Sequence, residues 1–406
     1  MSAFFDLASV VLVPSGYKSG KIYAQKPLTT DGQLTFTRAS TATRVNASGL
    51  IETVSSGVPR LDYQGSTCPR LLLEPQRTNL LTYSEQFDNA AWSSNGTVVA
   101  NQGVSPSGYT DADLFYSTTG AGKRIFNAVT ITSGSAYTSS VFAKASGKSF
   151  IYFPDVDNIA NTVWFNLSNG TFSTPTQGTA TIVDYGNGWY RCSLTTTSTS
   201  TTGYSYVAIS DASGSTSFTQ NGTDGVLLWG SQLELGAYPT SYIPTLSTSV
   251  TRVADVASKT GISSLIGQTE GAVFFEIDQL ANVSKLEGIL YLSDGTSTTD
   301  YINFYFGFTN VLYCDVSVGG VIQASFNLGT ITTLTKIALA YKANDFAVYK
   351  NGVQIGTDNS GSVPTTNKLS LGATQVGSAV MKGVFVQALL FKTRLTNAQL
   401  AELTTL

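Results

Sequence analysis

The chain has 406 residues, of which 42% are hydrophobic and only 12% charged, with a net charge of −3 and no histidine. A charged share about half the usual ~25%, with no long basic run, excludes the cationic footprint that nucleic-acid binding needs. The missing histidine excludes Ser-His-Asp and Cys-His catalysis, His-ligated metals and His-based pH switches, and 20 Tyr, 21 Phe and 4 Trp are too many for an unpacked polymer.

At roughly 150 residues per domain the length predicts two or three domains. Helical periodicity is nearly absent. Short runs alternating every second residue recur between Gly, Asn, Asp and Ser turns, which predicts an all-β chain of sandwiches or barrels. The first apolar run, Phe4 to Val13, is interrupted by Asp6 and has no basic residue before it. It reads neither as a signal peptide nor as a membrane span.

Residues 1–78 carry short strand candidates at Val10–Val13, Leu34–Arg38, Ile51–Val54 and Arg70–Leu73, separated by glycines. This zone has no Trp and little contiguous apolar surface, so it reads as an irregular β arm without a core of its own. Order there is expected to come from partners outside the segment (neighbouring copies of the chain, the following domain or other proteins), by strand addition and by Arg38, Arg44, Arg60, Arg70 and Arg77 meeting a partner's carboxylates.

Residues 79–245 hold all four tryptophans, Trp92, Trp164, Trp189 and Trp229. Val163–Leu167 and Thr171–Thr174 flank Asn169-Gly170, which predicts a hairpin with a type I′ turn. The zone closes at Pro239 and Pro244, so a boundary is expected near Thr245.

Residues 246–406 form a second β-rich unit, with strands predicted at Ala272–Ile277, Ile289–Leu292, Tyr301–Phe308, Val311–Val318, Ile337–Tyr341 and Phe346–Lys350. Asp294-Gly295 and Asn351-Gly352 read as turns. One helix is predicted, at Thr396–Leu403, with Thr396 as cap, Gln399 completing a capping box, and Leu400 and Leu403 inward.

Cys68, Cys192 and Cys314 lie more than a hundred residues apart. Such spacing fits free, mostly buried thiols, not a zinc site or a disulfide framework. Gly120-Ala121-Gly122-Lys123-Arg124 lacks the earlier Gly and the following hydroxyl of a phosphate loop. Asp155-Val156-Asp157 has Ala160 where a calcium loop needs Gly. Asp111 and Asp113 read as a loop pair. No pair of carboxylates stands out as a glycosidase couple.

An aromatic face suits the apolar C–H side of a sugar ring. Trp189 and Trp229, on predicted strands, read as core. Trp92, Trp164, Tyr109, Tyr185 and Tyr204 are the glycan-stacking candidates.

Three runs of motifs carry a family resemblance. "SGYKSGKIYAQKP", "TFTRASTATRVNASGLIE", "SGVPRLDY" and "PRLLLEPQRTNLL" resemble the N-terminal part of phage and prophage virion proteins. "NLLTYSEQFDNAAW", "VWFNLSNGTF", "DYGNGWYRCSL" and "GVLLWGSQLELGAYPTSYIPT" resemble a carbohydrate-binding-module jelly roll. "FAVYKNGVQIG", "KLSLGATQ" and "MKGVFVQALLFKTRLTNAQLAEL" resemble a laminin-G or concanavalin-A-like sandwich. In this order they cover almost the whole chain and are similar to head or tail fibre and capsid decoration proteins of phages.

The resemblance implies an attachment arm over 1–78, a jelly roll over 79–245 and a concanavalin-A-like sandwich over 246–406. It further implies a virion-surface location after synthesis in the host cytoplasm, a homotrimer held to other virion proteins through the arm, and lectin-like binding of host-surface or mucosal glycans. No enzymatic activity is expected, and neither nucleic acid nor membrane insertion. The alternatives are a purely structural decoration protein and, more weakly, a polysaccharide depolymerase. Jelly rolls of this kind often hold a structural calcium between an N-terminal and a C-terminal acid, and Glu85 or Asp88 with Asp224 or Glu234 are the candidates. Val386 and Gln387 stand where the laminin-G pattern has acids after the glycine matched by Gly383, so calcium is not expected there.

Overall fold

The computed structural model describes residues 2–118, 123–158, 161–216, 219, 221–279, 286–307, 310–331, 333–372 and 382–406. Residues 120–122 of the run rejected as a phosphate loop, Ala160, Phe308, and residues 373–375 and 381 of the quoted motifs lie outside them. The chain is all-β, built of antiparallel sheets, and among the described residues α-helices occur only at Ser2–Leu7 and Asn397–Thr404. Among the described residues no helix is long and apolar enough to cross a membrane.

The polypeptide divides into two compact units. One comprises 1–41, 54–76 and 253–406, and the other 42–53 and 77–252. The expected tripartite division at 78 and 245 is therefore corrected. The N-terminal segment is no separate arm, because its strands are built into sheets of both units.

In the first unit, Val10–Leu12 and Arg70–Leu73 both pair with Gly383–Phe391, and Arg60–Asp62 continues that sheet beyond Arg70–Leu73. Leu34–Thr37 pairs with Val256–Thr260 in the nine-stranded partner sheet. Short strands without a core thus satisfy their backbone groups on the part of the chain that follows, one of the partners expected for them. Phe275 and Phe304 meet across the two sheets, ring centroids 4.8 Å apart and edge to face.

The outer face of the eight-stranded sheet is lined by small side chains, Ala272, Ala338, Ala340 and Ala347. They let the helix Asn397–Thr404 seat Leu400 and Leu403 against it. Thr396 and Gln399 form the expected reciprocal capping box. The unexpected helix Ser2–Leu7 adds Phe4 to the same cluster.

Asn351 and Gly352 both have positive φ, 50° and 82°, and join Asp345–Lys350 to Val353–Asp358 in a two-residue turn. At the hairpin of 162–172 the pairing runs Phe165 to Phe172 and Asn166 to Thr171, so the loop has four residues. Gly170 takes φ 68°, and the Asn169 side-chain Oδ1 accepts from the backbone N–H and hydroxyl of Thr171. The hairpin stands as expected, but its turn is not the two-residue type I′.

The second unit is a sandwich of two six-stranded sheets. One runs in the order Ser93–Ser94, Arg124–Thr130, Thr202–Ser210, Phe150–Pro154, Thr162–Asn166 and Thr171–Phe172. The other runs Thr97–Val104, Thr110–Tyr116, Gly225–Leu235, Ala136–Ser146, Trp189–Thr197 and Thr179–Asp184. The core between them includes Phe115, Ile125, Val141, Ile151, Phe165, Cys192, Val207 and Leu228.

A second cluster lies on the other face of the second sheet: Phe142, Trp189, Trp229 and Tyr242, joined by Val45 and Ile51 of the hairpin Ala42–Val45 and Ile51–Val54. Trp189 and Trp229 are core residues, as expected. Cys192 and Cys314 are buried and Cys68 is exposed, and all three are free.

Candidate functional site

The outward face of the first sheet of this sandwich carries the site. Alternation along Arg124–Thr130 turns Ile125 into the core and leaves Arg124 and Phe126 outside. Along Thr202–Ser210, Val207 and Ile209 face inward, so Tyr204 and Tyr206 face outward. On Phe150–Pro154 and Thr162–Asn166 the same logic turns Tyr152 and Trp164 to the outward face of the sheet, because Ile151, Phe153, Val163 and Phe165 fill the core.

Register brings these side chains together. Phe126 lies opposite Tyr206, Arg124 and Tyr152 each lie opposite Ala208, and Tyr152 lies opposite Trp164. The result is a continuous row of five rings. Centroid separations are 5.8 Å for Tyr204–Phe126, 6.2 Å for Phe126–Tyr206, 6.5 Å for Tyr206–Tyr152 and 5.9 Å for Tyr152–Trp164. Such spacings lie in the range where aromatic pairs attract.

Arg124 stands over two of the rings. Its guanidinium carbon is 5.8 Å from the Phe126 centroid and 5.7 Å from that of Tyr206, and Nη1 donates to Tyr206 Oη at 3.4 Å. Arg124, Phe126, Tyr204 and Tyr206 line an open concavity of about 270 Å³. Tyr204 is 38% exposed. Tyr152 is buried beside its neighbours, and burial together with Tyr206 lifts its phenol to about 12, so it stays neutral.

Two of the five stacking candidates, Tyr204 and Trp164, stand in this row. Trp164 is half-buried, and its Nε1 donates to the Ser215 carbonyl at 2.9 Å. Trp92 does not belong there. It is a core residue packed on Phe87 at 4.7 Å, with Nε1 spent on the Tyr83 carbonyl. Tyr185 packs edge-on against Phe142 on the other sheet, and Tyr109 is 74% exposed next to the strand Thr110–Tyr116 of that sheet. Phe126, Tyr152, Tyr206 and Arg124 were not singled out from sequence. Their signal was present in the i, i+2 spacing of Arg124 with Phe126 and of Tyr204 with Tyr206.

A second concavity, of about 590 Å³, is lined by Glu85, Asp88, Asp111 and Asp113 together with Gln86, Asn89 and Asn101. Asp111 and Asp113 lie in the strand Thr110–Tyr116, not in a loop as expected. Asp113 is buried and accepts the backbone N–H of Phe87 at 2.8 Å and of Asn101 at 3.0 Å. Burial nonetheless pushes its carboxyl up to about 6. Glu85 is also raised, by burial and by Asp111, while accepting from Tyr242 Oη at 3.0 Å.

The expected calcium ligands do not come together here. Glu85 and Asp88 line the concavity, but Asp224 and Glu234 do not. Glu234 is buried, and its oxygens accept from Thr240 N, Thr240 Oγ1 and Gln232 Nε2, each at 2.7 Å. Asp224 sits against Gly147. Among the described residues no group of three or more His, Cys, Asp or Glu is arranged to hold a metal ion. These residues do not fit the group.

The other motif acids are structural acceptors. Asp157 takes the backbone N–H of Ser200 at 2.8 Å and the Ser198 hydroxyl at 2.9 Å, which holds its carboxyl below the usual range although burial opposes this. Gln387, standing where the laminin-G pattern has an acid, donates to Glu276 at 2.6 Å.

No protein-family model and no curated protein matches the chain. Solved structures are similar to part of it. The CBM40 domain of the Ruminococcus gnavus IT-sialidase, bound to α2,3-sialyllactose, is 11% identical with a TM-score of 0.32, over 36% of this chain and 91% of its own. The NanB sialidase of Streptococcus pneumoniae is 14% identical with a TM-score of 0.31, over 36% of this chain and 26% of its own. A pentraxin of Limulus polyphemus is 16% identical with a TM-score of 0.25, over 33% of this chain and 69% of its own.

Proposed function

We propose that the protein is a structural component of a phage virion surface, a head or tail fibre or decoration protein, whose second unit binds host-surface or mucosal glycans. The observation that carries the binding half is the row Tyr204, Phe126, Tyr206, Tyr152 and Trp164 on the outward face of the sheet. Outward positions of a half-buried sheet are ordinarily polar. Five rings there, three of which line an open concavity together with an arginine, suit an amphipathic ligand whose apolar face lies on the rings. The virion half rests on the order of the sequence motifs.

The reading assigns binding without catalysis. Copies arrayed as a homotrimer would raise avidity by roughly 10²–10⁴ over one weak sugar site without any new contact.

The test is a glycan array probed with the full chain and with Tyr204→Ala/Tyr206→Ala. Retention of a defined glycan set by the wild type and its loss in the double variant is the expected result. Equal, background retention by both would leave the purely structural alternative.

A further inference from the structure

We infer that the ring row is selective for a sugar bearing a carboxylate, with Arg124 taking the carboxylate while Tyr204 and Phe126 take the ring's apolar face. The inference rests on the glycan-binding reading and narrows it to acidic sugars such as uronic acids.

Most arginines of this chain are paired with its own acids. Arg38, Arg44, Arg60, Arg70, Arg77 and Arg394 each pair with a carboxylate of the chain. Arg124 is exposed, and among the described residues it has no carboxylate partner. A guanidinium offers five N–H donors in a planar fork. Its side-chain hydrogen bond within the site is the long one to Tyr206 Oη, 3.4 Å. The remaining donors face the open concavity or solvent, in the geometry that a carboxylate accepts in pairs.

The side chain is also held in place. Its backbone is fixed in the ladder opposite Ala208, and its N–H donates to Asn95 Oδ1 at 2.8 Å. The rings of Phe126 and Tyr206 then hold the cation by their negative faces. A cation seated this way loses less freedom on binding than a free one.

Two features select the ligand class. The concavity, about 270 Å³, lies just below the ~300–1,000 Å³ of ordinary small-molecule pockets, the scale of a single sugar unit. The neighbouring cation, Lys123, is buried and donates to the Asn95 carbonyl at 2.9 Å. One free positive charge beside an apolar surface fits a monoanionic ring, not a polyphosphate or a nucleic acid.

The experiment compares polygalacturonate with its fully methyl-esterified form, which keeps the sugar backbone and removes the charge. Dextran sulfate serves as a sulfated control and dextran as a neutral one. Binding to the full chain is measured by biolayer interferometry at low and high salt. The wild type is expected to bind the acid roughly ten-fold or more tightly than the ester, the scale of a charge-assisted hydrogen-bond pair, with the preference shrinking in salt.

Arg124→Gln should bring the acid down to the ester's level, and Arg124→Lys should restore part of the preference. An unchanged thermal midpoint of Arg124→Gln establishes that the fold is kept. Equal wild-type binding of acid and ester, an acid preference that survives in Arg124→Gln, or binding of the sulfated polymer alone would overturn the inference. Retention of neutral glycans through Tyr204 and Tyr206 would then leave the broader reading standing. Retention of no glycan at all would remove both.

Discussion

Arg38 and Asp255, 217 residues apart in the chain, form a fully buried ion pair at 3.1 Å. Asp255 also meets the buried Arg60, which in turn meets Glu74 at 2.6 Å. Asp255 accepts the Glu74 backbone N–H at 2.9 Å as well. The arginines expected to seek a partner's carboxylates thus find them within the chain. Arg44 meets Glu52, Arg70 meets Asp278, and Arg77 lies 3.9 Å from Glu234.

Removing the acid at the centre of this network leaves two buried guanidinium groups short of counter-charge. Asp255→Ala is expected to destabilise the first unit by about 3–5 kcal/mol. All four tryptophans belong to the second unit, so their fluorescence should report an unchanged transition there. Amide hydrogen exchange of 253–406 supplies the check, and a loss below about 1 kcal/mol would contradict the role given to the network.

Deleting residues 1–41 removes the strands Val10–Leu12 and Leu34–Thr37, together with Arg38. The expected product keeps tryptophan fluorescence and native melting in the second unit, whose hairpin begins at Ala42. Its first unit should lose amide protection and bind a hydrophobic dye. Undiminished protection along Gly383–Phe391 would show that the segment is dispensable.

Asp113 sets a pH dependence whose sign follows from its shift. Burial lifts the carboxyl from 3.8 to about 6, so the folded chain binds this proton more tightly than the unfolded chain. Its stabilising contribution is full below pH 3.8 and is lost as pH rises through about 6. Glu85, also raised, acts in the same direction. Denaturant midpoints from tryptophan fluorescence should fall across this window, and Asp113→Asn should flatten the slope. An identical slope in the variant would remove Asp113 as the cause.

The C-terminal helix depends on its cap. Thr396 Oγ1 accepts the Gln399 N–H at 3.2 Å, and Gln399 Oε1 returns the contact to the Thr396 N–H at 2.9 Å. Thr396→Ala should cost about 1 kcal/mol, read as weaker exchange protection in Asn397–Thr404. Thr396→Ser should restore most of it.

Much of the architecture was legible locally. The apolar runs of the strands Tyr301–Phe306 and Asp345–Lys350, the Asn351-Gly352 turn and the Thr396 capping box are each written within a few residues, because backbone preference and side-chain chemistry act at that range. The fate of residues 1–41 and 54–76 was not legible. A short strand carries no label for the edge it will join, and Val10 pairs with Leu390 only because the intervening chain brings them together.

The site divides in the same way. Aromatic richness, and Tyr204 and Trp164 as candidates for stacking, could be read from the sequence. That Trp92 fills the core beside Phe87, and that Phe126, Tyr206 and Tyr152 complete one row around Arg124, follows from cross-strand register. By itself the sequence determined an all-β chain without histidine chemistry, its turns, its last helix and which residues of a strand share a face. The tertiary structure alone decided which strands lie side by side. It thereby decided which arginines are neutralised within the chain and which one faces an open concavity, since strand pairing is a long-range choice made by backbone hydrogen bonding and core packing together.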